Sequence, residues 1–369
     1  MIELGVPGHI MPPADSAMSL AQRNEANGFA SIWWPSHLMG WHPDSVWTED
    51  LTPLAATQAN PHQYFDPFVM MGAAATHTER IRVGVVVTDL IAKHPASVAQ
   101  AALTIDHLSK GRAIIGVGSG ERMNVSPYGM SFERPVARLA EGIEVMRTLW
   151  EADGPIDRDG EFFPLKSAVL GISPYGDTPP PVWVAAHGPR MLRLTGRLGD
   201  GWLPTKIPVD EYRRSREVIL RAGIEAGRDM ETFTPAMLGY VLLAPDEATL
   251  AELSAKPLVR FLCMTLPPDT FREFGVEPPL AEGGFHNLVP AEMPRQEALR
   301  IIDGIPPEVV RSYAFCGTPE QVVEQIRTYE AAGLQHLICW NITPFGDPDL
   351  ASWSFKALKE VKTLLEEQR

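Results

Sequence analysis

The stretch Ala113-Ile114-Ile115-Gly116-Val117-Gly118-Ser119-Gly120-Glu121-Arg122-Met123-Asn124 decides how this chain reads. A short apolar run ends in three glycines at alternate positions, and a carboxylate follows at once. Glycine lets the backbone turn sharply and lets a flat ligand come close. The run 113–117 predicts a buried strand, so Glu121 falls just past its carboxyl end, where α/β proteins place their chemistry. Upstream the pattern repeats. Ala30-Ser31-Ile32-Trp33-Trp34 predicts a strand that runs into Pro35-Ser36-His37, with Trp41 four residues on. Two strand ends then deliver titratable groups beside glycines or aromatics.

Outward from these two sites, strand and helix signals alternate. Residues 2–6, 81–87, 182–186, 201–203, 236–243 and 336–342 predict the other strands, and 81–87 is almost uniformly apolar, as a buried parallel strand should be. Helices are predicted over 13–27, 67–77, 95–109, 132–151, 190–198, 209–226, 246–261, 318–333 and 349–367. The fourth of these carries Val136, Leu139, Ile143, Met146 and Leu149 at helical spacing. Gly28 supplies a stop signal, and Thr318-Pro319-Glu320 a start signal. Eight strand-then-helix units predict an α/β fold, a single (β/α)8 TIM barrel over 1–369. Long insertions are expected after strands 2, 4 and 7, at about 35–66, 153–181 and 263–306, all on the carboxyl-end face as lids or binding loops. A hairpin is expected near 161–165.

Composition narrows the function. The 369 residues carry a formal net charge of -14, which argues against broad nucleic-acid binding. No apolar run reaches the ~18 residues of a membrane span, and the opening residues read as a first strand instead of a signal peptide. Cys263, Cys316 and Cys339 form no CxxC pair, which fits reduced thiols in a cytoplasmic protein. The scattered histidines lack metal-ligand spacing. The motif Gly116-x-Gly118-x-Gly120 is not followed by a helix, which excludes a Rossmann dinucleotide site.

Each candidate residue has a plain alternative. Glu121 is either a surface glutamate after a tight turn or a carboxyl whose pocket raises its pKa until it donates a proton. His37 is either structural or placed to protonate a reacting carbonyl; Trp41 either stacks on a ring or packs a lid. Ala186, His187, Gly188, Pro189 and Arg190 form either a tight turn or a helix start whose free N–H groups bind an anion. Lys206 would add a second phosphate contact.

The strings 116–122 with Asn124, His94-Pro95 through Gly111-Arg112, and Pro181-Val182-Trp183-Val184-Ala185-Ala186-x-Gly188-Pro189 resemble the bacterial luciferase-like superfamily. Within it the chain is similar to the branch that uses the deazaflavin coenzyme F420, and most similar to the mycobacterial phthiodiolone ketoreductases. The resemblance covers nearly the whole chain. It implies F420 at the carboxyl ends of the strands, with hydride moving between its C5 and a substrate carbon. His37, Trp41 and Glu121 would then surround the ring. Val85, Val86, Val87 and Thr88 would press on its back face, where many members carry a bulge with a cis peptide. Ser36, Gly118, Ser119, Gly120, His187, Gly188, Pro189 and Arg190 would also touch the coenzyme. Many F420 dehydrogenases have Asp before the histidine; here it is Ser36. The loop 263–306 carries Phe271, Phe274 and Phe285 in place of a basic cluster. Both departures point to an uncharged, bulky carbonyl or alcohol substrate. A homodimer is expected by analogy. The rivals are an FMN-dependent monooxygenase and a non-catalytic deazaflavin carrier.

Overall fold

The computed structural model describes residues 2–280 and 284–367; the part of the third insertion at 281–283 lies outside the described residues. Eight parallel strands close a ring: β1 (Glu3–Pro7), β2 (Ser31–Trp34), β3 (Arg82–Asp89), β4 (Ala113–Gly118), β5 (Val182–Val184), β6 (Gly201–Trp202), β7 (Thr234–Leu243) and β8 (His336–Asn341). Each pairs in parallel with the next, and β8 returns to β1 through Glu3 opposite His336. Helices cover the outside, as the eightfold rhythm predicts.

Strand alternation sorts the core into two shells. On β4, Ile115 and Val117 face outward, where they join Leu103 and Ile143 of the helices. Ile114 faces inward with Trp33, Val86, Trp183 and Ile338. The inner shell is filled at its lower end by two indoles, Trp33 and Trp183, with ring centroids 5.4 Å apart. They fit because the neighbouring strands carry no side chain there. A Cβ on Gly84 would sit 2.3 Å from the Trp33 ring, and one on Gly201 2.5 Å from the Trp183 ring. His336 edges against both indoles. This plug closes the amino-terminal end, so any cavity must open at the other.

Three expectations change. The segment 153–181 follows the helix Pro135–Glu151, not strand β4 itself, so it emerges at the amino-terminal face. It does form an antiparallel hairpin, Ile156–Arg158 with Leu165–Ala168, and it clamps the outside of the barrel: Glu141 accepts from Phe162 and Phe163 N–H, and Tyr175 N–H donates to Asp106. It contributes no side chain to the cavity described below. The helix expected over 246–261 is two helices, Glu247–Ser254 and Pro257–Leu262, because Pro257 cannot donate to the preceding turn. The third insertion is largely helical, with Pro268–Glu273 and Arg295–Gly304, followed by Pro307–Tyr313. Ala298, Ile301 and Ile302 sit at helical spacing and are buried, but the prolines around them mask the pattern. These pieces form a second apolar cluster over the mouth, reaching across to Val46 in the first insertion. A short strand, Phe315–Gly317, adds to the end of β7.

Candidate active site

The carboxyl-terminal ends of the strands open into a single cavity lined by strand ends and by the loops that follow them. Its floor is apolar: Val86 and Val87 from β3, Leu203 after β6, Leu238 from β7 and Trp340 from β8. The Val86–Val87 peptide is cis, and the pairing of β3 with β4 shifts register between Val85 and Thr88. Gly120 has φ +83, and a Cβ there would lie 3.0 Å from Cβ of Asp89. Conformation and space both require glycine, and the turn it makes throws Glu121 across the opening.

Around this floor the strand-end loops converge. Pro35 stops β2, and His37 swings inward. Its Nδ1 lies 3.8 Å from Oε2 of Glu121. Asn124, in the short 3-10 turn Arg122–Asn124, holds both. Its Nδ2 donates to Glu121 Oε2 at 3.1 Å and sits 3.1 Å from His37 Nδ1. Its Oδ1 accepts the backbone N–H groups of Leu38 at 2.9 Å and Met39 at 3.3 Å. Trp41 and Tyr64 flank the imidazole, each with its ring centroid 5.4 Å away.

Burial sets the protonation states. Loss of water, reinforced by the nearby Asp89 carboxylate, pushes the Glu121 pKa up to about 8; the Asn124 hydrogen bond opposes this only in part. Loss of water pulls His37 down to about 4, against the Met39 carbonyl 3.2 Å from Nδ1. At neutral pH the pair is an acid and an uncharged imidazole, not an ion pair. Asp89 itself is tied to the N–H groups of Ile91 and Ala92 at 2.8 and 2.6 Å.

The second wall comes from the insertions. Phe285 meets Trp41 edge-on at 5.9 Å and stacks on His286 at 4.1 Å, and a hydrogen bond ties the His286 ring to the Gly120 backbone. Tyr240, Leu262, Thr265 and Phe345 complete it. Among the described residues, neither lysine nor arginine lines the cavity, and no three potential metal ligands come together.

The structure therefore brings together Ser36, His37, Trp41, Val86, Val87, Thr88, Gly118, Ser119, Gly120, Glu121 and His187. Val85 points the other way, into the outer core. Ala186 lies beneath the surface, its carbonyl accepting from the Trp202 indole at 2.8 Å. Gly188, Pro189 and Arg190 stand exposed at the start of the helix Pro189–Leu198, beside the mouth. Lys206 is not brought to the site: its Nζ turns to the carbonyls of Ser312 at 2.6 Å and Ala314 at 3.3 Å, over the Phe315 ring. A position three residues past a strand suggested an outward reach, but the side chain satisfies itself on backbone. The sequence reading missed Asn124, Tyr64, Tyr240 and His286. The motif string already carried Asn124; the other three lie in loops or on a strand with no local signal.

The site fits a flat, phosphate-tailed ring system. The floor is apolar and uninterrupted by charge. His187 offers Nδ1 buried without a partner, while its Nε2 meets Thr205 Oγ1 at 3.0 Å. A Cβ built on Gly188 meets nothing within 4 Å, so the helix start there is open to an anion.

Comparison with known proteins agrees with this geometry. A sequence-family model described as luciferase-like monooxygenase matches residues 2–336. The chain is 34% identical over 341 residues to the phthiodiolone/phenolphthiodiolone dimycocerosates ketoreductase of Mycobacterium tuberculosis (strain H37Rv), covering 90% of this chain and 88% of that one. It is 27% identical over 272 residues to the 5,10-methylenetetrahydromethanopterin reductase of Archaeoglobus fulgidus, covering 73% and 80%. Its fold superposes on an F420-dependent secondary alcohol dehydrogenase in complex with an F420-acetone adduct, with TM-score 0.78, 23% identity and 99% of both chains covered.

Proposed function

The chain belongs to the luciferase-like monooxygenase family and is an oxidoreductase, and from that premise we propose that it uses coenzyme F420 to interconvert an uncharged, largely apolar ketone and its alcohol. One observation carries the reading. A carboxyl that keeps its proton at neutral pH and a neutral imidazole stand 3.8 Å apart on the rim of a cavity with an apolar floor.

When bound, F420 supplies the ring carbon that gives or takes a hydride. Val86, Val87, Leu203 and Leu238 would offer that ring an apolar surface and keep water from it. His187, with its unpartnered Nδ1, would meet a polar edge, and the N–H groups of Gly188 and Arg190 with the Arg190 charge would hold a phosphate. The substrate oxygen, as it gains negative charge, needs a proton in a place without solvent. Glu121 holds one, and His37 can present one from Nε2. Trp41, Tyr64 and Phe285 shape the wall where the rest of the substrate lies. The absence of Lys and Arg from the described lining supports an uncharged substrate, in line with the names of the ketoreductase and alcohol dehydrogenase relatives. A homodimer and a cytoplasmic setting belong to the same reading: Val69 and Leu108 are exposed apolar side chains on two outer helices, and all three thiols are free.

The test is a titration of the purified protein with F420 and separately with FMN, followed by absorbance, then turnover with ketones of increasing apolar bulk. F420 is expected to bind at micromolar concentration and to be consumed with uncharged ketones. Tight FMN binding with oxygen uptake would move the chain to the monooxygenases. F420 binding without any turnover would make it a carrier.

A further inference from the structure

Asn124 makes four contacts that converge on one consequence. Its amide orientation is fixed, because Oδ1 accepts two backbone N–H groups, from Leu38 at 2.9 Å and Met39 at 3.3 Å. Turned over, the amide would set its own hydrogens against theirs. Nδ2 is therefore the atom that faces His37 Nδ1 at 3.1 Å and Glu121 Oε2 at 3.1 Å. An amide nitrogen only donates. Its second hydrogen needs a lone pair on His37 Nδ1, and a neutral imidazole with a lone pair there carries its proton on Nε2. The Met39 carbonyl, 3.2 Å from the same Nδ1, pulls the other way, since it can only accept. Nδ1 thus sits between a donor and an acceptor at nearly equal distance.

We propose that Asn124 is a positioning residue that fixes the His37 tautomer, keeping the imidazole proton on Nε2, free for the cavity, and steering the Glu121 carboxyl toward the same point. The hydrogen bonds of this ring to the described residues all fall on Nδ1, which leaves Nε2 for the substrate oxygen. The Met39 carbonyl then serves the doubly protonated ring only. The role in turnover rests on the F420 ketone/alcohol reading above; the tautomer itself does not.

Two variants separate this from mere loop support. Asn124→Asp keeps an oxygen for the Leu38 and Met39 N–H groups but places an acceptor where the donor was. Asn124→Leu removes both. The primary measurement is the ring-nitrogen spectrum of ¹⁵N-histidine-labelled protein without coenzyme, with His37→Gln assigning the signals. In the wild type at pH 7, Nε2 is expected to carry the proton and Nδ1 the lone pair. In both variants the proton is expected on Nδ1, drawn by the introduced carboxylate oxygen in Asn124→Asp and by the Met39 carbonyl in Asn124→Leu. Turnover should fall with the tautomer, kcat by about 10- to 100-fold with KM within about threefold, as when a group acts only at the transition state. A wild-type signal showing Nδ1–H, or a proton that stays on Nε2 in both variants, overturns the proposal. So does a switched tautomer with kcat intact. Should F420 fail to bind at all, the wild-type and variant spectra still decide the tautomer, so the two failures are distinguishable.

Discussion

Two imidazole–carboxyl pairs, His336–Glu3 at the amino-terminal end of the barrel and His37–Glu121 at the carboxyl-terminal end, are opposites. At the amino-terminal end His336 Nδ1 lies 3.1 Å from Glu3 Oε2, Nε2 meets Ser31 Oγ at 2.8 Å, and Arg82 pairs with the same carboxylate. Every polar atom of that imidazole is occupied. The carboxylate is partly in water, and the His336 hydrogen bond with the Arg82 charge holds its pKa down to about 2. At the carboxyl-terminal end His37 and Glu121 stand 3.8 Å apart, with no cation among the described residues within ion-pair reach, and loss of water, reinforced by Asp89, pushes the carboxyl up to about 8. Residue type is the same at both ends. Solvent access and the nearest charge decide whether the pair ties strands together or holds a proton for transfer.

The largest expected effect breaks the pairs apart by function. His37→Gln and Glu121→Gln should each lower kcat/KM with F420 and a ketone by roughly 10²- to 10⁴-fold, the range for a lost proton donor. Glu3→Gln should leave it within about twofold, since no atom of that pair lines the cavity. Steady-state kinetics on the three variants checks this. Comparable losses at both ends would mean that the plug shapes the site.

The second effect is a pH slope. Glu121 has a folded pKa raised from 4.5 to about 8. Relative to a residue that never ionises, its stability contribution is intact below 4.5 and is lost as pH rises through about 8, because the unfolded chain releases a proton that the folded chain keeps. Glu121→Gln should therefore match the wild type near pH 4.5 and exceed it by on the order of 5 kcal/mol above pH 8. Urea unfolding across that window measures the gap. A constant difference would show that the carboxyl ionises freely in the folded protein.

How much of this contrast the sequence displayed depends on the range of the contact. The strands over 81–87 and 113–117 were legible because burial on both faces writes itself into consecutive apolar residues. His37 and Glu121 were legible as strand-end groups, each beside a break in the pattern. Their partner Asn124 stood inside the quoted string, yet nothing local says that an amide 87 positions from His37 touches its ring. The amino-terminal pair is harder still, with Glu3 and His336 lying 333 positions apart; only ring closure brings β1 beside β8. Lys206 shows the converse. A basic residue near a strand end looks like a phosphate ligand, and the sequence cannot say that its ammonium finds the carbonyls of Ser312 and Ala314 first.

The smallest effect tests the Glu3–His336 pair by the reverse slope. Glu3 has a folded pKa held below its unfolded value, so its contribution is present above pH 4.5 and fades as pH falls toward about 2. Its side chain is 49% exposed, which screens both the Arg82 charge and the His336 contact. Glu3→Gln should then cost about 1 kcal/mol at pH 7, the upper end for an exposed pair, with the difference closing below pH 4.5. Glu121→Gln gains on the wild type as pH rises, whereas Glu3→Gln gains on it as pH falls. Both variants exchange one carboxyl for one amide beside a histidine, so side-chain volume and intrinsic propensity nearly cancel between them. Slopes of the same sign would mean that the two environments do not differ in the way their distances and charges require, and the assignment of proton storage to one end alone would fall.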